Sequence, residues 1–336
     1  MRIRRKFLQL TKQTIPHGNE HLLESHLPAG YEKDTHGNYF INIGDNYTTM
    51  FTCHLDTASR NKVEIRHRFD GNLIKTDETS ILGADDKAGM IVLLYMIEKN
   101  IPGLYYFFVG EEVGCIGSRK LAKAFNHTNI TKIVSFDRRG THSIITEQIY
   151  GRCCSDDFAQ ALSKNFSQVD RGLKLTPDNT GILTDSAQFI ELVSECTNIS
   201  VGYYKEHTVS ECQDIEYLRR LCAACAKIDW ESLPVVRKCD DSDLKKNDFN
   251  LNDLDLDFNL DLDDLDLDLG LTPKMKELKI KEIELESKLI LQFLKTQEYN
   301  PKKIIWDGCE CYCEEEDGQS IYIGSREELK DYIDEL

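Results

Sequence analysis

The stretch Gly103–Glu112, GLYYFFVGEE, is a run of aromatic and aliphatic residues that ends in two adjacent glutamates. A run this apolar predicts a strand that is buried on both faces. Two carboxylates directly after such a strand either form a solvated turn or face a cation. The residues that follow the other predicted strands decide between these two interpretations.

Strands and helices alternate along residues 1–237, which we expect to form one domain. The pattern predicts strands at 39–44, 48–54, 104–110, 132–137 and 197–204, and helices at 86–99, 116–125, 156–166 and 212–228. This alternation predicts an α/β fold of three layers, with a mainly parallel mixed sheet covered by helices. In such sheets ligands bind beyond the carboxyl ends of the strands.

Composition narrows the possible partners of the chain. It has 336 residues, 40% of them hydrophobic, and a formal net charge of −17. Phosphate-binding surfaces need Lys and Arg, so this charge argues against nucleic acid and against anionic membrane surfaces. We expect no transmembrane helix and no signal peptide, because no apolar run is long enough. The twelve cysteines then indicate reduced thiols and a cytoplasmic protein.

The character of the sequence changes after residue 237. Residues 238–272 are rich in Asp and Leu, and between positions 240 and 268 they hold twelve Asp against two Lys. We predict an acidic linker here, because Asp is a poor strand former and like charges would share one face. Residues 273–336 predict a small α+β domain with a charged helix, a two-stranded hairpin and a capping box at Ser325–Glu328. For the cysteines at 309, 311 and 313 we favour packing over a metal site.

Acidic and imidazole side chains follow several predicted strands. His54 and Asp56 end TTMFTCHLD, Glu111 and Glu112 end GLYYFFVGEE, Asp137 ends KIVSFD, and His207 follows NISVGYYKE; Asp85 lies at a helix start in GADDKAG. In a parallel sheet these strand ends converge on one edge. A pair of divalent cations would relieve their repulsion, and His nitrogen with carboxylate oxygen suits zinc. Each motif alone has an ordinary structural explanation; their agreement in order and placement favours the metal site.

The motifs HLDT, GADDKAG, GEEVG, SFD and YYKEHT together resemble the co-catalytic zinc exopeptidase superfamily, which includes leucyl-type aminopeptidases, peptidase T and glutamate carboxypeptidase. The resemblance covers about residues 5–232. It implies a hydrolase for a peptide or small amide bond that uses two Zn²⁺ per chain, with Co²⁺ or Mn²⁺ as substitutes. Only 31 positions separate His54 from Asp85, and 70 separate Asp137 from His207, so we expect no inserted lid domain.

The resemblance also implies a role for each site residue. His54 and Asp137 would bind one ion, Glu112 and His207 the other, and Asp85 would bridge both. Asp56 would fix the tautomer of His54, and Glu111 would act as general base towards the attacking water. Asp86 is expected to support the helix start. The segment Thr184–Phe189 and Glu211 resemble positions that shape the cleft.

Arg138 and Arg139 follow the predicted ligand Asp137 directly. An arginine there could bind a substrate carboxylate, although a surface pair is the more common arrangement. Three hypotheses therefore stand. The first is an aminopeptidase-like exopeptidase, and the second is a carboxypeptidase, dipeptidase or N-acyl amino acid deacylase with the same site. The third is a non-catalytic metal-binding relative, which the presence of Glu111 disfavours.

Overall fold

The computed structural model describes residues 1–148 and 150–239, together with the backbone of three strands between positions 303 and 325. The chain divides into two compact units, Met1–Lys245 and Lys246–Leu336. Within the described residues, no helix has both the length and the apolar character that a membrane span requires.

The described residues of the first unit form five α-helices, two 3₁₀ helices and fourteen strands. The α-helices are α1 (Ile3–Leu10), α2 (Ala84–Glu98), α3 (Ile116–Lys123), α4 (Asp156–Val169) and α5 (Ile215–Cys225), and the 3₁₀ helices span Glu20–His26 and Asp185–Phe189. The strands are β1 (Glu32–Lys33), β2 (Tyr39–Ile43), β3 (Thr49–His54), β4 (Arg68–Asp70), β5 (Leu73–Lys75), β6 (Gly103–Phe108), β7 (Lys132–Arg138), β8 (Ser143–Ile145), β9 (Glu147–Gln148), β10 (Gly151–Arg152), β11 (Thr176–Asp178), β12 (Glu195–Ser200), β13 (Tyr203–Tyr204) and β14 (Cys212–Asp214).

Eight of these strands form one mixed sheet, in the order β1-β2-β6-β3-β7-β12-β8-β11. Its four central strands, β6, β3, β7 and β12, run parallel to one another. The strands β2 and β8 pair antiparallel with this centre. The predicted mainly parallel mixed sheet is confirmed, and its central strands all end at the same edge.

Alternate side chains of the central strands pack into two different hydrophobic cores. Phe51, Tyr105 and Val134 belong to the core shared with α1, α2, α4 and α5. Their strand neighbours Met50 and Leu104 belong to a second core, which includes residues of α3 and of the 3₁₀ helix Asp185–Phe189. Successive side chains of a strand point to opposite faces, so this sheet is covered on both sides and the three layers are confirmed.

Helix α2 is buried along nearly its whole length, from Ala84 to Ile97. It is apolar on every side, which is typical of a helix enclosed by other elements. Gly89 lies where this helix meets the sheet, because a Cβ at that position would stand 2.0 Å from the carbonyl oxygen of Phe136. The close approach fixes the start of α2 against β7.

Most predicted elements differ from the observed ones by one to three residues at an end. Two differences arise from a second, antiparallel sheet in the order β13-β14-β5-β4. The predicted strand 197–204 is divided, because β12 ends at Ser200 and β13 joins the small sheet. The predicted helix 212–228 begins only at Ile215, because β14 pairs with β5. Asp214 ends that pairing and caps α5, accepting hydrogen bonds from the backbone N–H groups of Glu216 (3.0 Å) and Tyr217 (2.9 Å).

The described part of the second unit is a three-stranded antiparallel sheet, β15 (Lys303–Asp307), β16 (Glu310–Glu314) and β17 (Ser320–Ser325). The predicted two-stranded hairpin is therefore wrong. β15 ends at Asp307 and β16 begins at Glu310, and these two residues pair with each other, so the segment holds three strands instead of two. The predicted acidic linker, the helix after Pro273, the capping box beyond Ser325 and Cys309 lie outside the described residues.

Candidate metal centre

The carboxyl edge of the central strands carries most of the predicted ligands. His54 is the last residue of β3 and Asp137 lies near the end of β7. Glu111 and Glu112 follow β6 after Gly110, whose φ of 68° turns the chain at the sheet edge. These positions follow from the buried parallel strands, which place successive chain ends side by side.

Asp85 joins the two imidazoles of the site. Its Oδ1 lies 2.9 Å from Nε2 of His54, and its Oδ2 lies 3.2 Å from Nε2 of His207. Glu112 approaches His207 at 3.1 Å, and Asp137 approaches His54 at 3.6 Å. One carboxylate thus stands between two clusters, each with an imidazole and a further carboxylate.

His207 does not end a strand of the main sheet, so that part of the prediction is wrong. It follows β13 of the small sheet and has φ 63°, in the left-handed region that non-glycine residues rarely adopt. Such conformations persist where the surroundings hold them, and they are common at functional sites. The loop nevertheless brings its imidazole to the carboxyl edge.

Asp56 connects the turn after β3 to the glutamate pair. Its Oδ1 lies 3.6 Å from Nδ1 of His54, and its two oxygens accept hydrogen bonds from the backbone N–H groups of Glu111 and Glu112, each at 3.1 Å. The fully buried Lys87 donates to the carbonyl oxygens of Leu55 (2.6 Å) and Asp56 (3.2 Å). Burial would raise the pKa of Asp56, but the nearby imidazole of His54 lowers it.

Two further buried carboxylates hold the backbone at the start of α2. Asp86 accepts hydrogen bonds from the N–H of His54 (3.2 Å) and of Gly89 (3.0 Å), in keeping with its expected support of the helix start. Glu211 accepts from the N–H groups of Leu82 (2.7 Å), Gly83 (2.7 Å) and Asp85 (3.1 Å). Burial raises the pKa of Glu211 to about 8.

Asp137 is fixed by three residues that the sequence did not single out by role. The side chain of Asn198 accepts a hydrogen bond from the backbone N–H of Asp137 (2.8 Å) and donates one to the carbonyl oxygen of Asp137 (2.7 Å). Thr184 donates to its Oδ2 (2.6 Å), and Tyr203 donates to its Oδ1 (3.1 Å). Only Thr184 lay in a segment marked in the sequence. Asn198 and Tyr203 lie in the predicted strand 197–204, and the sequence does not show that either side chain contacts Asp137.

The electrostatics of the cluster favour a bound cation. Burial and the nearby charge of Asp85 raise the pKa of both Glu112 and Asp137, and burial raises the pKa of Glu111 well above its usual value. Burial would lower the pKa of His54, yet the carboxylate of Asp137 raises it well above the ordinary value. Buried acids of this density remain charged only with positive charge close by.

The residues present fit divalent cations. His54, Asp85 and Glu112 offer three ligand atoms within 4.8 Å of one another, and His54, Asp86 and Asp137 offer another three. Glu112 has a buried Oε1 that accepts no hydrogen bond, as expected of an oxygen that is placed for a metal. Nitrogen and carboxylate oxygen are the donor types of zinc sites.

A third group of possible ligands, His17, Glu20 and Asp56, lies beside the cluster. The ring of His17 binds Glu20 at 2.7 Å and adjoins Gly110, because a Cβ on that glycine would stand 2.9 Å from the imidazole. Asp56 is already engaged by the glutamate pair. This group therefore forms part of the surroundings of the centre.

The arginine pair has partners on the protein. Arg138 donates through Nη2 to the carbonyl oxygen and the hydroxyl of Thr180, each at 3.0 Å. Arg139 is exposed and binds Glu206 at 3.1 Å, next to His207 in the chain. Arg138, at the end of β7, and Arg139, directly after it, thus contact the loops that contain Thr180 and Glu206.

The chain is therefore a three-layer α/β protein with a candidate metal centre at the carboxyl edge of its parallel strands. Two imidazoles and several buried carboxylates form this centre. Residues 38–219 match the family model described as Peptidase family M28. The chain belongs to this family, because the match spans more than half of its length. The resemblance to zinc exopeptidases and the predicted class of metallopeptidase are thereby confirmed.

Other proteins are similar to this chain in part of the sequence or in fold. The uncharacterized protein YqjE of Bacillus subtilis (strain 168) is 39% identical over 84 residues, and the chain spans only 22% of that curated relative. A tripeptidase from Staphylococcus aureus is 17% identical at a TM-score of 0.54, over 67% of this chain and 96% of its own. Aminopeptidase PepT from Bacillus cereus is 16% identical at 0.53, with the same coverage. At these identities the two structures show a shared fold.

Proposed function

We propose that the chain is a metal-dependent exopeptidase of the aminopeptidase type, with peptides or small amides as substrates and two zinc ions per chain. The observation that carries the proposal is the position of Asp85, whose two oxygens each face a different imidazole at 2.9 and 3.2 Å. A carboxylate in that position suits two ions that it bridges. Membership of the Peptidase M28 family supports the same activity.

The other roles follow from this arrangement. His54 and Asp137 would hold one ion, Glu112 and His207 the second, and bound divalent ions supply Lewis acidity and acidify water. Glu111 reaches towards the centre, with Oε2 at 4.0 Å from Nε2 of His54. Its buried carboxylate is suited to take a proton from the attacking water and to pass it to the leaving amine.

Asp56 orients His54 and stabilises the turn that carries Glu111. Asp56 accepts hydrogen bonds from the backbone N–H groups of both glutamates. The same carboxylate therefore neighbours the imidazole of His54 and holds the backbone of Glu111, the proposed base. A change at Asp56 should therefore disturb both. The second candidate function is that of a dipeptidase or carboxypeptidase. The arginine pair beside the ligands favours it, because a guanidinium group can bind the carboxylate of such a substrate.

The test is metal analysis of the purified chain together with a substrate panel. We expect about two zinc ions per chain and hydrolysis of aminoacyl amides or short peptides with a free N-terminus. Acetylation of that N-terminus should abolish cleavage. A folded sample, never exposed to chelator, that contains no divalent metal would disprove the metal-dependent mechanism. Cleavage of acetylated substrates alone would point to a deacylase.

We also propose that residues 1–237 form the catalytic domain without a lid, followed by an acidic linker at 238–272 and a small domain of unknown role. A truncated chain that ends at residue 238 should fold, bind metal and turn over substrate, since a charged linker low in aromatics makes few core contacts. Loss of folding on truncation would contradict this division. We further propose a cytoplasmic location, supported by nine free cysteines among the described residues.

A further inference from the structure

A groove of about 890 Å³ lies between α1 and α5, apart from the candidate metal centre. Ile3, Leu8 and Ile215 contribute apolar surface to its lining and are packed against the larger core. Tyr95, also in the lining, stands ten residues along α2 from Asp85. At 1.5 Å per residue this places the groove roughly 15 Å from the bridging carboxylate.

The rim of this groove is positively charged on a chain that is acidic overall. Arg2, Arg4, Arg5 and Arg219 are exposed members of the lining. Arg219 is paired with Glu216, but no carboxylate among the residues that the structure describes pairs with the other three. Arg4 instead lies over the exposed ring of Phe69, 4.8 Å from its centroid.

These arginines also oppose the stability of their own helix. Arg4 and Arg5 lie in the first turn of α1, which has no acidic residue. Cations at this end of a helix face the positive pole of the macrodipole and destabilise it. Unpaired charge that works against local stability is expected where it serves binding.

We propose that this groove binds an amphipathic, acidic helix of a partner protein. Two adjacent helices with apolar surface between them form the type of groove that accepts the apolar face of a third helix. Acidic residues flanking that face would meet Arg2, Arg4 and Arg5. Three exposed arginines around an apolar groove match the few acidic side chains that flank one helix face, whereas a nucleic-acid surface needs an extended patch of Lys and Arg.

The experiment uses the full chain and a fluorescently labelled synthetic helix with Leu at positions i, i+3, i+4 and i+7 and Glu on both flanks. The peptide is acetylated and amidated, so that it cannot serve as an exopeptidase substrate. Fluorescence anisotropy measures its affinity at low and high salt. Charge reversal in Arg2→Glu/Arg5→Glu should weaken binding about 10-fold or more, since attraction becomes repulsion.

Two matched variants complete the design. Lys123→Glu/Lys164→Glu reverses the same number of exposed cations outside the groove and should leave the affinity within about two-fold, as rim charges elsewhere are screened. Arg2→Lys/Arg5→Lys keeps the charge and should retain most of the binding. Melting curves and hydrolysis of a short substrate show that each variant is folded.

Some results would overturn the proposal. Absence of peptide binding, or equal weakening by both charge reversals, would show that the groove is not the site. Binding of phosphatidylserine vesicles or duplex DNA in preference to the peptide would assign the rim to another class of partner. Because hydrolysis is measured separately, an inactive chain that still binds the peptide leaves this proposal intact while removing the proposed function.

Discussion

The two halves of the candidate metal centre are held in different ways. The strand half, His54 and Asp137, lies on central strands of the sheet, and the side chain of His54 is only 1% exposed. The loop half, Glu112 and His207, lies on connections, and His207 is 21% exposed. The same type of ligand pair is thus built once from a buried sheet and once from loops.

The difference extends to the surrounding contacts. Asp137 in the strand half has hydrogen bonds from Thr184 and Tyr203 to its two oxygens. Glu112 in the loop half keeps a buried oxygen without a hydrogen bond. Strands position ligands before a metal arrives, whereas loop ligands depend more on the ion itself. The strand half should therefore be preorganised and the loop half should gain order on metal binding.

The largest effect is expected at Asp85, the carboxylate that would bridge the two halves of the centre. Asp85→Ala should lower the metal content from about two ions to nearly none and abolish turnover, because both proposed ions share this carboxylate. His207→Ala should retain about one ion, held by the strand half. Elemental analysis of the purified variants measures both. Loss of both ions in His207→Ala would show that the halves do not bind independently.

The adjacent glutamates should differ in kind. Glu111→Gln should keep the metal and reduce kcat by about 10² to 10⁴-fold, the usual contribution of a general base. Glu112→Gln should instead weaken metal binding in the loop half. Metal content and kcat measured on the same preparations distinguish the two. If Glu111→Gln loses metal while Glu112→Gln keeps it, the two roles are reversed.

Contacts behind the strand half give a smaller effect. Thr184→Val and Tyr203→Phe each remove one hydrogen bond to Asp137. Each should weaken metal affinity by about 10 to 100-fold, as is common for residues that orient a ligand, without changing the preferred substrate. Competition with a fluorescent zinc chelator measures the affinity. Thr128→Val, at an exposed threonine that precedes the start of β7, serves as the control. Unchanged affinity in both variants would show that the sheet alone positions Asp137.

The contrast between the halves also explains what could be predicted from sequence. Strand ends were predictable, because long apolar runs such as residues 103–108 specify buried strands and parallel strands end together. His54, Glu112 and Asp137 therefore appear at the expected edge. Placement is thus confirmed by the structure, while the roles of these residues remain predictions.

The loop half depended on pairings between distant segments. The small sheet joins residues 73–75 to 212–214, and no local pattern in either segment predicts the other. Asn198 and Tyr203 were missed for the same reason, since their function lies in a contact with Asp137 and not in their own neighbourhood. The prediction also began α5 at residue 212, although Asp214 is a typical N-cap and marks the observed start at Ile215.

The smallest effect concerns Arg138 and Arg139, which continue from the strand half towards the loop half. Arg138 contacts Thr180, and Arg139 binds Glu206 beside His207. If one of them receives a substrate carboxylate, its change to Ala should raise KM about 10-fold for peptides with a free C-terminus, the size of one charge-assisted contact.

The same peptides with an amidated C-terminus are the control, and their KM should not change, because they carry no charge for the guanidinium to bind. If KM for peptides with a free C-terminus rises only in Arg139→Ala, the substrate carboxylate binds beside the loop half. If it rises only in Arg138→Ala, the carboxylate binds beside the strand half. Either result would favour a dipeptidase or carboxypeptidase over an aminopeptidase. Equal kinetics on both substrate types in both variants would show that the arginines serve only as structural contacts of Thr180 and Glu206. The arginine pair would then no longer support a dipeptidase or carboxypeptidase over an aminopeptidase.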